Sequence, residues 1–134
     1  MKVKVSEATE IQLDWMACEA AGMFDAYPKY GEGRKFLQMH RGNSAAYVHP
    51  TTDWAQGGPI IEREGVNLSI DYQDDALSND MVQLGWKGNL WNNSVPGTAG
   101  FLQWAYGPTP LIAAMRCFVI SKLGDTVEVP EELK

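Results

Sequence analysis

Val66-Asn67-Leu68-Ser69-Ile70-Asp71-Tyr72 decides the fold. Apolar and polar residues alternate with a period of two, so an extended strand here has one apolar face and one wet face. The reading extends C-terminally: an acidic turn over 73–80, a strand over 81–87, a loop over 88–100 and a third strand over 101–106. Short strands at this spacing predict an antiparallel meander. Trp86 and Trp104 fall on different strands of it and are expected as cross-strand neighbours. Gly107-Pro108-Thr109-Pro110 then starts a helix, with Thr109 as N-cap and Pro110 at the first helical position. Leu111, Met115, Phe118, Val119 and Lys122 share one face of it, and Gly124 ends it. The acidic tail over 128–134 is expected at the surface.

In the N-terminal direction, residues 2–5 alternate lysine with valine as a short half-buried strand does. Thr9 and Gln12 form a capping-box pattern. The helix they open carries Ile11, Leu13, Trp15, Met16, Cys18 and Ala20 and stops at Gly22. Over 23–50 the periodicity fails. Glycines at 31, 33 and 42, prolines at 28 and 50, and the basic pair Arg34-Lys35 predict irregular structure, of a length usually tied to function or motion. Pro59 is expected at the first position of a short helix that Gly65 ends. The sum is one α+β domain: a small antiparallel sheet of three to five strands packed against two main helices, with a short third helix after the Gly-Gly-Pro turn.

Composition narrows the function. With 134 residues the chain is long enough to bury roughly two thirds of its unfolded surface. Eleven basic against seventeen acidic residues give a net charge of -6 and a pI near 4.8. Duplex binding draws its affinity from basic residues, so direct binding to duplex nucleic acid is not expected. No apolar run approaches the roughly eighteen residues of a membrane span, and the N-terminus lacks the apolar centre of a signal peptide. Cys18 and Cys117, each among apolar residues of a helix, read as free thiols in a reducing, cytosolic compartment. The two histidines, His40 and His49, have no metal-ligand spacing, and Asp74, Asp75 and Asp80 do not match a calcium loop. No metal, no cofactor and no catalytic constellation is expected.

The densest mixture of chemistry is Thr52-Asp53-Trp54-Ala55-Gln56-Gly57-Gly58-Pro59-Ile60-Ile61-Glu62. Two readings fit it. In one, Gly57 and Gly58 let a ligand approach the backbone before a helix N-terminus, Trp54 stacks on a flat ring, and Asp53 and Gln56 read polar edges. In the other it is a tight turn with positive-φ glycines, Asp53 capping and Trp54 plugging the core. Arg116, alone among apolar residues, either holds an anion or makes a structural ion pair, Asp53 being one candidate. Trp91, in a loop with Asn92 and Asn93, suits either a ligand or a partner, and Trp104 and Tyr106 complete the aromatic set.

The 52–62 stretch, Thr109-Pro110-Leu111-Ile112-Ala113-Ala114-Met115-Arg116-Cys117, Lys122-Leu123-Gly124-Asp125 and Val127-Glu128-Val129-Pro130 resemble the NinX-like small proteins of tailed bacteriophages, as do residues 1–7 and Leu13-Asp14-Trp15. The stretch 73–100 is less similar. The resemblance implies a phage accessory protein in the cytoplasm of the infected bacterium and carries no activity with it. Together with the residues, it leads to two expectations. The first is a binder of a small anionic, nucleotide-like ligand, with Asp53, Trp54, Gln56, Gly57, Gly58, Trp91, Trp104, Tyr106, Thr109 and Arg116 as candidate contacts, Thr109 and Arg116 meeting charged oxygens. The second is a protein-protein module directed at a host protein through Trp91. A homo-oligomer is expected in either case.

Overall fold

A computed structural model describes residues 1–22, 26–31, 34–41, 44–74 and 81–134. Strand β1 (Lys2–Lys4) leads through a 3-10 turn (Val5–Glu7) into α1 (Glu10–Ala20). The capping box forms as expected: the Thr9 amide donates to Gln12 Oε1 at 3.0 Å and the Gln12 amide to Thr9 Oγ1 at 3.4 Å. The stretch expected to be irregular is instead a sheet. Strands β2 (Ala26–Gly31), β3 (Arg34–Arg41) and β4 (Ser44–Val48) pair antiparallel in that order. Gly31 ends β2, Gly33 and Gly42 lie outside the described residues, and Pro28 lies in the edge strand β2, where a missing amide hydrogen is tolerated.

Helix α2 (Trp54–Glu64) begins before the glycine pair and not at Pro59. Asp53 supplies the cap upstream, and Pro59 sits inside the helix, lacking only the hydrogen that would bond back to Ala55. Gly57 and Gly58 are therefore helical residues, and neither has a positive φ. The meander expected from 66–72 onward is present as β5 (Asn67–Asp74), β6 (Met81–Asn92) and β7 (Phe101–Gly107). β6 runs past Lys87 to Asn92, so Trp91 lies on a strand and not in a loop. The register sets Trp86 opposite Gly107 and Trp104 opposite Asn89, so the two tryptophans are not cross-strand partners.

α3 (Pro110–Leu123) starts at the expected cap, with Thr109 Oγ1 accepting from the Ile112 amide at 3.2 Å. β8 (Thr126–Glu128) returns to pair with β1. The tail beyond it is docked and not merely a surface strand end: Val129 and Leu133 are buried, and the Leu133 carbonyl accepts from Gln12 Nε2 at 3.0 Å. Its charges suggested a solvated segment, but the apolar residues between the glutamates decide its packing.

The class is α+β, as expected, with the described strands divided into three small antiparallel sheets. α3 is the core of the molecule. It lies across β5, β6 and β7 and also meets α1 and α2. Residues 111–119 are buried throughout, with one exception, Arg116. A helix apolar on all sides has to sit inside the protein, which makes the one charged residue in that run conspicuous. No described helix is long and apolar enough to cross a membrane.

Candidate functional site

The 52–62 stretch builds a joint between β4 and α2. Asp53 Oδ1 accepts from the Ala55 amide at 2.9 Å, while its Oδ2 lies 3.7 Å from His49 Nδ1. Gln56 clamps the preceding strand end: Oε1 accepts from the His49 amide at 2.8 Å and Nε2 donates to the Tyr47 carbonyl at 2.9 Å. Gly57 packs so tightly that a Cβ added there would stand 2.5 Å from the Pro50 carbonyl oxygen and 2.6 Å from Leu111 Cδ2. At Gly58 a Cβ would meet nothing within 4 Å. The close backbone approach that Gly57 permits is thus made by the protein itself.

Asp14, which the sequence reading passed over, completes the joint from α1. Its Oδ1, buried, accepts from both the amide and the hydroxyl of Thr51, at 2.9 and 2.7 Å. Burial pushes its carboxyl up to about 6, against the opposing pull of the Thr51 hydrogen bonds and of His49. The available signal was an acid within the otherwise apolar Leu13-Asp14-Trp15-Met16 run.

Two clefts flank the connection between β7 and α3. One, of about 220 Å³, is lined by Glu10, Thr51, Thr52, Trp54, Thr109 and Pro110 among others. Trp54 reaches it from solvent, 54% exposed, and does not plug the core. The other, of about 330 Å³, is lined by Asp71, Leu84, Trp86, Tyr106, Gly107, Pro108 and Arg116. Small-ligand sites begin at roughly 300 Å³, which favours the second cleft on size.

That second cleft depends on local irregularity of the meander. The register shifts between Asp71 and Tyr72, a bulge of the kind that re-aims side chains. Facing it, Gly85 has φ of +142°, and a Cβ there would lie 2.7 Å from the Gly107 carbonyl oxygen, so no larger residue fits. Arg116 enters from α3. Its Nη1 donates to the Tyr106 carbonyl at 2.8 Å, while its Nε, shut off from solvent, has no hydrogen-bond partner among the described residues. No described carboxylate lies within 4.0 Å of it, so the ion pair with Asp53 is not formed. Partial burial accordingly lowers its pKa from the ordinary value.

Residues 4–122 match the family described as Bacteriophage P22, NinX. The chain belongs to this family. The match spans both clefts and the joint between them, and it ends before the docked tail. No curated protein matches the chain.

The remaining candidates of this family member lie apart from Arg116. Trp91 and Leu102 face one another across β6 and β7, both exposed, and the Trp91 ring lies over Gly100. Trp104 carries Lys87 Nζ 5.7 Å from its ring centroid. Of the ten candidates, then, the structure brings Tyr106 together with Arg116 and Trp54 together with Thr109. Trp86, read from the sequence as a core aromatic, joins the Arg116 cleft, as do Asp71 and Leu84, which were missed because nothing in a regular strand pattern marks a bulge. Both thiols are buried, and burial pushes each up to about 12, so neither is a thiolate at neutral pH. Among the described residues no group of histidines, cysteines and acids stands ready for a metal. Asp75 and Asp80 lie outside the described residues.

Proposed function

We propose that this protein binds a small anionic, nucleotide-derived molecule in the cleft of Arg116, Trp86 and Tyr106, and that it acts by holding the molecule and not by converting it. The observation that carries the reading is the state of Arg116. Its guanidinium is partly drawn from water, with no described carboxylate within 4.0 Å and with its Nε–H unspent among the described residues. Such a group is a standing cost in the free protein that a phosphate removes, since the planar fork matches phosphate oxygens. Two aromatic residues, Trp86 and Tyr106, line the same cleft, and aromatic rings are the side chains on which a base stacks. In a bacteriophage family, sequestering a nucleotide signal of host defence in the infected cytoplasm is a natural use for such a binder.

The test is thermal unfolding against mono-, di- and cyclic nucleotides, for the wild type and Arg116→Ala. Ligand at one hundred times its dissociation constant stabilises by about 2.7 kcal/mol, a shift of several degrees at this size. The expected result is a shift in the wild type that is absent from Arg116→Ala. No shift with any nucleotide overturns the reading.

A second reading rests on a different observation. Trp91, Leu102, Trp104 and Tyr106 are all exposed on β6 and β7. That is a set of large apolar side chains of the kind that anchors protein interfaces. In this reading Trp91→Ala abolishes association with a host protein and leaves nucleotide binding intact.

A further inference from the structure

We infer that Asp71 makes the Arg116 cleft selective for guanine among the nucleobases. The inference rests on the nucleotide reading above and specifies its ligand. Asp71 lines the same cleft as Arg116 yet forms no ion pair with it, and its carboxylate takes no hydrogen bond from any described residue. Two opposite charges thus line one small cleft, neither with an oppositely charged partner within 4.0 Å among the described residues. The bulge between Asp71 and Tyr72 and the glycine opposite it define this part of the sheet. The residue directly opposite cannot satisfy the acid, because Gly85 has no side chain to offer, and the bulge leaves Leu84 of β6 without a partner on β5.

A carboxylate only accepts hydrogen bonds. A ligand that fills the cleft must therefore bring donors to Asp71 or leave it desolvated and unpaired, which is the costly outcome. An anion alone meets Arg116 and repels Asp71. What complements the pair is a molecule with an anionic group at one end and adjacent donors at the other, joined by a flat ring for Trp86 and Tyr106. Guanine nucleotides have this form. The guanine edge presents its ring N–H and its exocyclic amino group side by side, matching the two carboxylate oxygens. Adenine sets a ring nitrogen lone pair beside its amino group, cytosine does the same, and uracil flanks its single N–H with two carbonyls. Each of those places a lone pair against the carboxylate.

The test is isothermal titration of the full chain with the 5′-monophosphates and the 3′,5′-cyclic monophosphates of guanosine and adenosine, and with xanthosine 5′-monophosphate. The proteins are wild type, Asp71→Asn and Arg116→Ala. For the wild type, guanine binds about 10- to 100-fold more tightly than adenine, the value of one or two hydrogen bonds to a charged group. In Asp71→Asn the preference turns towards xanthine, whose carbonyl in place of the amino group pairs with the new carboxamide N–H. A gain for xanthine cannot come from misfolding, so that arm holds even if the variant is less stable. Adenine binding as tight as guanine, or a base preference unchanged in Asp71→Asn, overturns the inference and leaves the nucleotide reading standing. Loss of all nucleotides equally in Asp71→Asn, as when the acid holds the ribose hydroxyls, overturns it too. Absence of binding by every nucleotide to the wild type removes the proposed function itself.

Discussion

The joint around Thr51 and Gln56 and the cleft around Arg116 use the same vocabulary, an acid, an indole and polar side chains, but they differ in where the hydrogen bonds go. In the joint, Asp14, Asp53 and Gln56 each accept from the protein's own backbone amides, and only His49 Nδ1, 3.7 Å from Asp53 Oδ2, is left without a hydrogen-bond partner among the described residues. In the cleft, Arg116 makes one bond to a carbonyl, and Asp71 makes none to a described residue. Buried polar groups that are satisfied hold a fold together, whereas those left unsatisfied are available to a ligand. The comparison teaches that density of chemical groups in a sequence does not by itself separate a ligand site from a structural turn; where their hydrogen bonds go is what distinguishes the two regions.

The sharpest way to break the first half of this contrast is through Asp14. Its carboxyl titrates near 6 when folded, above the ordinary 3.8. The folded state therefore keeps a proton that the unfolded chain gives up. The resulting stabilisation is full below about pH 4 and is lost as the pH rises to about 6 and beyond. Asp14→Asn removes this dependence while its side-chain oxygen can still accept from Thr51. Between pH 4 and 7 the stability of the variant relative to wild type is expected to rise by on the order of 3 kcal/mol, read from urea unfolding at each pH. A difference that stays flat with pH contradicts the burial of this carboxylate.

The adjacent glycines give a smaller and cleaner contrast. Gly57→Ala drives a methyl into the Pro50 carbonyl and Leu111 and is expected to cost about 2 kcal/mol, as overpacking does. Gly58→Ala adds the same methyl to open space in a helix and is expected to gain about 0.5–1 kcal/mol, since alanine is the better helix former. Denaturant midpoints of the two variants moving in the same direction would remove the structural role assigned to Gly57.

How far the sequence displayed this design follows from the kind of signal each part leaves. Caps are local, so Thr9 with Gln12 and Thr109 with Pro110 were legible and formed as read. The 66–72 strand was legible because one of its faces is covered and the other is not. The β2-β3-β4 sheet was not, since glycines and prolines that separate short strands look the same as those that fill a loop. α2 was read as starting late because Pro59 announced a first turn, whereas the Asp53 cap upstream had already begun it. Arg116 stood out by charge within an apolar run. Its companions Asp71 and Leu84 did not, because a register shift and a long-range pairing bring them to it.

The measurement that tests the account most directly sets one indole against the guanidinium. Nucleotide-induced shifts in unfolding temperature are compared for wild type, Trp54→Ala and Arg116→Ala. If the ligand lies in the Arg116 cleft, Trp54→Ala retains the wild-type shift and Arg116→Ala loses it. A shift lost in Trp54→Ala and retained in Arg116→Ala would contradict the account and move the site to the cleft beside Thr109.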